Sequence, residues 1–390
     1  MIKKVFPILA LSIFSSMLGS GIIAPLLPLY ADSLGASGVW LGTIFAGFAI
    51  SNAISTPIFG RLSDRHGRKR FISTGLFLHG IISLGFIWAF SVNQLSLIRF
   101  AQGIAGGMII PIARAYIGDL SPKGEEGKWM GYSNAAFFTG FGFGPLLGGV
   151  LTEQFGMNTA FLTMSSLNLL AFIIAVIFLP SIATRKPTVG NGIFFKKMIS
   201  SAVIKGLFTF RLTFSIGRMG FNVFLPLYAA MIGITPALIG VLLAAHMLLS
   251  SLLGIPAGKI ADRFSRRALV IIGTLIGVIY IAMVPQAQNF WQLLWLSIFG
   301  SLSAAISLPA GLAMSVEEGR KFGMGSTLAV FGIAFSLGMA IGPVLAGAIV
   351  DLSSITMAFY FGAAVLLAGA SSFAWLTRQS ECLSGLLSNR

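Results

Sequence analysis

The residues of this chain best placed to do chemistry are few, and most of them are basic. Asp64 lies in the segment Gly60-Arg61-Leu62-Ser63-Asp64-Arg65-His66-Gly67-Arg68-Lys69-Arg70, a single carboxylate among cations. At a helix end such a carboxylate can pair with a neighbouring arginine or sit at another helix's positive N-terminus, so it can form a tie that is made and broken. Asp119 closes a later apolar stretch and is a second acid at the same level. Arg99, Arg211 and Arg218 fall inside long apolar stretches. A charge in such surroundings costs at least about 2.5 kcal/mol on insertion scales and by default marks function or a paired partner.

Other chemistries lack their residues. His66, His79 and His246 are scattered without metal-ligand spacing, and Cys382 is the one cysteine, so no metal centre or internal disulfide is expected. No G-x-x-x-x-G-K-[ST] loop is present, which argues against direct nucleotide drive. No cofactor is expected, and the chain is not read as an enzyme.

The elements that must hold these residues are membrane helices. Of 390 residues, 56% are hydrophobic and 9% charged, against roughly 25% charged in a soluble protein. A span needs roughly 20 apolar residues. Twelve such stretches are predicted, at 5–30, 39–59, 71–90, 94–118, 130–152, 158–180, 203–230, 236–257, 268–286, 290–313, 324–350 and 355–377. The N-terminal run continues to about Tyr30 without a small-residue cleavage site, so it is read as an uncleaved first helix. Most of the positive charge lies in alternate loops: Lys3 and Lys4, Arg61 to Arg70, Lys123 and Lys128, Arg185 to Lys205, Lys259 to Arg267, Arg320, Lys321 and Arg378. This positive-inside pattern puts both termini in the cytoplasm and rules against a nucleic-acid partner. The domain reading is a bundle over 1–180, a cytoplasmic linker at 181–202, a second bundle over 203–377 and a cytoplasmic tail at 378–390.

The two bundles share one ruler. At an offset of 198, Gly258-Lys259-Ile260-Ala261-Asp262-Arg263-Phe264-Ser265-Arg266-Arg267 repeats the opening segment. The same offset sets Pro28-Leu29-Tyr30-Ala31 on Pro226-Leu227-Tyr228-Ala229, Pro111 on Pro309, Asp119 on Glu317 and Gly144-Pro145 on Gly342-Pro343. An even number of spans per copy makes this a parallel repeat about an axis along the membrane normal. Such folds place their site near the midplane and rock around it.

These motifs resemble the major facilitator superfamily over essentially the whole chain, and within it the twelve-helix drug:proton antiporters. The resemblance rests on Gly60-x-x-x-Asp64-Arg65-x-Gly67-Arg68-Lys69, on Arg99-x-x-Gln102-Gly103-x-x-Gly106 and on Gly140-x-Gly142-x-Gly144-Pro145-x-x-Gly148-Gly149, similar to that subgroup's antiporter motif. Leu18-Gly19 with Pro25 and Pro28 is a weaker fourth match. It implies an all-α polytopic protein of two six-helix bundles in the cytoplasmic (inner) membrane, acting as a monomer. The expected function is export of amphiphilic, drug-like molecules in exchange for protons, as in multidrug resistance. By the same resemblance Gly60, Asp64, Arg65, Gly67, Arg68 and Asp119 form a cytoplasmic latch. Asp262, Arg263, Arg266 and Glu317 form a weaker second one, since Ser265 replaces the glycine.

The substrate and proton pathway is assigned to Asp32, Arg99, Gln102, Arg218, Asn222 and His246, with His79 a more distant proton carrier. Arg218 shares a helical stripe with Phe214, Phe221 and Asn222 and is read as facing a cavity, whereas Arg211 is read as snorkelling. Arg99 has two readings: it ties the first helix to the fourth by pairing with Asp32, or it holds a carboxylate's pKa low until a proton or substrate alters the pairing. Phe137, Phe138, Phe221, Met247, Trp295, Phe331 and Phe335 could supply an adaptable apolar wall. One departure matters: all eleven acids fall at surfaces, in loops or in the tail, and none is expected mid-membrane. The cationic balance keeps an alternative open, an organic-anion exchanger or facilitator using Arg99 and Arg218. A non-transporting membrane sensor is the third reading.

Overall fold

A computed structural model describes residues 2–122, 125–181, 201–261, 263–322 and 324–388. Most of the expected linker, at 182–200, lies outside these residues, as do Lys123 and Asp262. The described residues contain helices and no strand. In order they are α1 (Ile2–Ser33), α2 (Gly38–His66), α3 (Arg68–Leu84), α4 (Val92–Gly107), α5 (Ile110–Leu120), α6 (Glu126–Phe155) and α7 (Met157–Phe178). Then follow α8 (Ala202–Met231), α9 (Pro236–Ala261), α10 (Arg266–Met283), α11 (Phe290–Phe322), α12 (Met324–Leu352) and α13 (Ile355–Ser388). Helices dominate because lipid offers no hydrogen bonds, so each spanning segment must satisfy its own backbone.

Among the described residues, eleven spans are long and apolar enough to cross a bilayer, with α4 and α5 counted together as Val92–Leu120. The twelfth, α8, is 30 residues long and carries Lys205, Arg211 and Arg218. The helices overrun the apolar stretches that predict them: α2 continues to His66 and α11 to Phe322. Once a backbone ladder is running it extends into polar residues outside the lipid, so helix ends do not coincide with hydropathy ends. Glycine is required where the chain reverses sharply between helices. Gly67 at φ +93° separates α2 from α3, and Gly156 at φ +84° separates α6 from α7, a backbone region that penalises any Cβ.

One compact unit comprises the described residues of Met1–Thr188 with Pro226–Leu248, and the other those of Val189–Leu225 with Leu249–Arg390. The first unit has a core in which one stripe of α1, Ile2, Val5, Leu9, Ile13 and Met17, packs with Ile72 and Leu76 of α3. Ile109, Ile112, Ala113, Tyr116 and Ile117 join it from α5 and the turn before it. Lipid tails are as apolar as these side chains, so association rests on close packing rather than on escape from water.

That packing is closest along α6. A Cβ added at Gly140, Gly144 or Gly148 would strike the α1 backbone at Phe14, at Leu18 with Gly21, or at Ile22. Another face of α6 receives the start of α9: a Cβ at Gly149 would strike the Pro236 carbonyl, one at Gly142 would strike Leu248, and one at Gly240 would strike the Pro145 carbonyl. These contacts explain why Pro226–Leu248 belongs with the first unit. In the second unit Gly338 and Gly342 of α12 approach Leu212, Ser215 and Ile216 of α8. Phe14 and Leu18 map onto Leu212 and Ile216 at the offset of 198, so the duplication holds contact by contact.

Candidate functional site

The loop between α2 and α3 builds a tie from one arginine and two acids. Gly67 reverses the chain, which puts Asp64 near the end of α2 beside Arg68 at the first position of α3. Arg68 Nη1 lies 3.0 Å from Asp64 Oδ1, and its Nε donates to Asp119 Oδ2 at 2.5 Å. The Arg68 side chain is 11% exposed. Three helices are thereby joined at the basic side of the first unit. Arg65 is exposed and takes no part in this tie. Gly60 lies within α2 with open space around it, and Gly67 makes the turn.

The second copy repeats the register. Arg266 Nη1 donates to Glu317 Oε2 at 3.0 Å, the counterpart of Arg68 with Asp119. Ser265 stands at φ −58°, and its hydroxyl accepts from the Ala268 amide, capping α10. Arg263 is exposed, and Asp262 lies outside the described residues.

Arg99 is not paired with Asp32. It is 6% exposed, donates from Nη1 to Gln102 Oε1 at 3.1 Å and lies over Phe48 at 4.3 Å and Phe45 at 5.5 Å. Gln102 donates in turn to Ser83 at 3.0 Å, and the Ser83 hydroxyl donates to the carbonyl of buried His79 at 2.5 Å. Asp32 is exposed at the end of α1. Sequence position had put the two at similar depths, but depth along a helix says nothing of the direction a side chain takes around it. The network binds α2, α3 and α4 to one another and leaves Arg99 closed from its surroundings.

Among the other pathway residues, His246 is buried at 6% exposed, while Arg218 and Asn222 are partly exposed on α8. The Arg218 guanidinium lies 5.8 Å from the Phe214 ring. Phe221 is not a cavity wall: it is buried between Tyr280 and Phe359. Trp295 stands 68% exposed on α11. Arg211 is seated over Phe335 at 4.4 Å and Phe331 at 5.1 Å, so α12 rings hold it in place of free snorkelling.

Sequence reasoning passed over Arg114, although it lies within the predicted fourth span and the rule that singled out Arg99 applies to it equally. It sits on α5, over Phe137 at 5.1 Å, and donates to Asn134 Oδ1 at 3.1 Å. Among the described residues neither Arg114 nor Arg211 has an ion-pair partner, and the Nε of each is enclosed without an acceptor.

Comparison with known proteins agrees with this architecture. The family profile of the Major Facilitator Superfamily matches residues 9–231 and 207–385. An uncharacterized MFS-type transporter, MJ1560, of Methanocaldococcus jannaschii is 30% identical over 375 residues, covering 93% of this chain and 95% of that protein. The quinolone resistance protein NorA of Staphylococcus aureus is 28% identical over 382 residues, covering 94% and 95%. A bacterial homolog of the human lysosomal transporter Spinster, solved inward-facing and unoccupied, superposes with a TM-score of 0.84 at 14% identity over 96% of each chain. With twelve spans in two copies, the loop tie in both copies and matches over nearly its full length, the chain belongs to the major facilitator superfamily of membrane transporters.

Proposed function

We propose that the chain exports amphiphilic, drug-like small molecules from the cytoplasm by alternating access, in exchange for protons, from a membrane in which both termini are cytoplasmic. The observation that carries this reading is the likeness to a quinolone resistance protein over 94% of the chain. The α6 glycines support it: Gly140, Gly144 and Gly148 seat α1, while Gly142 and Gly149 seat α9. A helix with small residues on two faces can hold both neighbours without a side chain in the way. The tie of Arg68 with Asp64 and Asp119 is assigned the role of a latch that holds one conformation and opens in the other, with Arg266 and Glu317 as its counterpart. Asp32 and His246 are the proton carriers this reading uses.

A second reading, exchange of organic anions, is favoured by one observation. Arg114 and Arg211 lie within the spans on phenyl rings, without carboxylate partners among the described residues. Uptake into inverted vesicles separates the two. Accumulation of a fluorescent amphiphile that a protonophore abolishes supports antiport; anion counterflow indifferent to the protonophore replaces it with exchange.

A further inference from the structure

Arg114 and Arg99 occupy the same span and share a ring under the guanidinium, one amide acceptor and an Nε without a partner, but they differ in exposure. Arg99 is enclosed and bonded into the Gln102–Ser83 network, which accounts for its presence structurally. Arg114 is partly exposed, and Asn134 beside it is exposed. Asp119, the acid on its own helix, is taken by Arg68.

The guanidinium does not reach back to the lipid surface. Side chains on a helix tilt toward its N-terminus, and on α5 that direction leads away from the Asp119 end, toward the interior of the span. Its partners agree, because Asn134 and Phe137 lie 8 and 11 residues beyond Glu126, where α6 begins. At 1.5 Å per residue this is roughly 12 to 17 Å into the helix. A ring beneath it and an amide oxygen on one amino group fix the plane of the guanidinium, and Nε–H is left without an acceptor. A planar fork held in this way suits a carboxylate or phosphate, which accepts two N–H bonds together.

An apolar shelf adjoins it. Phe137 packs edge-on against Phe138 at 5.3 Å and near Phe141 at 6.2 Å, and Phe138 is 45% exposed. The second unit reaches the same chemistry from another helix. Arg211 of α8 lies over Phe335, the residue onto which Phe137 maps at the offset of 198. A ring at this register therefore seats an arginine in each unit, though neither arginine is the sequence counterpart of the other.

We infer that Arg114, Asn134 and Phe137 form a recognition site for the anionic group, carboxylate or phosphate, of an amphiphile whose tail lies on Phe138 and Phe141. This rests on the transport reading above and narrows its substrate class to amphiphiles bearing a negative charge. The anion has two possible sources, a soluble amphiphile or a lipid headgroup, and both offer the same oxygens.

The test is equilibrium binding to the purified full chain in phosphatidylcholine nanodiscs, with dodecanoate and dodecyltrimethylammonium as probes of like tail and opposite charge. Arg114→Gln is expected to weaken dodecanoate about tenfold, which is about 1.4 kcal/mol, and to leave the cationic probe unchanged. Asn134→Ala, which keeps the arginine, is expected to weaken dodecanoate two- to threefold. Adding phosphatidylglycerol to the nanodiscs separates the sources. Competition with dodecanoate in the wild type but not in Arg114→Gln identifies a headgroup, and no competition identifies a soluble anion. Unchanged dodecanoate binding in both variants, or equal loss of both probes, would overturn the site and leave Arg114 as a packing contact between α5 and α6. Because binding is read without a gradient, failure of export in vesicles sinks the transport reading and leaves this result standing, and the reverse also holds.

Discussion

The two copies of the basic loop share a register and differ in how they are closed. In the first, Gly67 at φ +93° turns the chain, and Arg68, 11% exposed, holds Asp64 and Asp119 together. In the second, Ser265 turns it at φ −58° and caps α10, and Arg266 at 34% exposed reaches Glu317 at 59% exposed. Exposed pairs are worth about 0.2–1 kcal/mol. An arginine only 11% exposed is screened less by water. The difference teaches that duplication preserved the register of the tie and not its burial, so the ion pair of the first unit is the less screened of the two.

The largest expected effect lies where the copies agree. Gly144 and Gly342 each bring α6 or α12 against a helix backbone, at Leu18 with Gly21 and at Ile216. Overpacking in a well-packed core costs about 1–3 kcal/mol, and here the obstacle is backbone that cannot change rotamer. Gly144→Val and Gly342→Val are each expected to remove most of the folded protein, measured as the monodisperse fraction and melting temperature in detergent. A tolerated Gly342→Val beside a lethal Gly144→Val would break the equivalence of the two helix pairs.

Next in size is the tie itself, where the copies should part. A double-mutant cycle on Arg68→Ala and Asp119→Ala is expected to give a coupling of about 1–2 kcal/mol, and one on Arg266→Ala and Glu317→Ala at most about 0.5. Thermal unfolding at low salt reads both. Equal couplings would mean that the deeper burial of Arg68 adds nothing, and the asymmetry would be lost.

The fold was legible in the amino-acid order because the bilayer permits so few solutions, and because Pro28, Gly144, Asp119 and the loop segment recur at one spacing. The site was legible only in part. The Arg68–Asp119 tie could be read because the acid and the arginine recur together in both copies. The supposed Asp32–Arg99 pair could not be judged, because a sequence places residues along a helix and not around it. Gly60 and Gly67 look alike in the motif, yet only Gly67 adopts a left-handed backbone. Arg114 carries a sequence signal, a charge within an apolar span, but its meaning depends on Phe137 and Asn134 from another helix.

A smaller effect is expected at the two turns. A residue with a Cβ at a left-handed position costs about 1–2 kcal/mol, so Gly67→Ala should lower the melting temperature measurably. Replacing a cap by glycine costs only a few tenths of a kcal/mol, so Ser265→Gly should barely register. The reverse order would show that the first turn can relax without glycine.

The smallest expected effect concerns Arg65, placed in the latch by resemblance yet exposed and outside the Arg68 tie. Substitutions at exposed positions away from such features fall within about 0.5 kcal/mol. Arg65→Ala should therefore leave both stability and the transport rate near wild type, as should Arg263→Ala in the other copy, while Arg68→Ala slows exchange. The assay is initial uptake rate in proteoliposomes at saturating substrate, which reports turnover rather than binding. A loss at Arg65 as large as that at Arg68 would place Arg65 in a tie formed by another conformation. The asymmetry between the copies would then have to be judged in both states, because an arginine idle in one can hold the latch in the other.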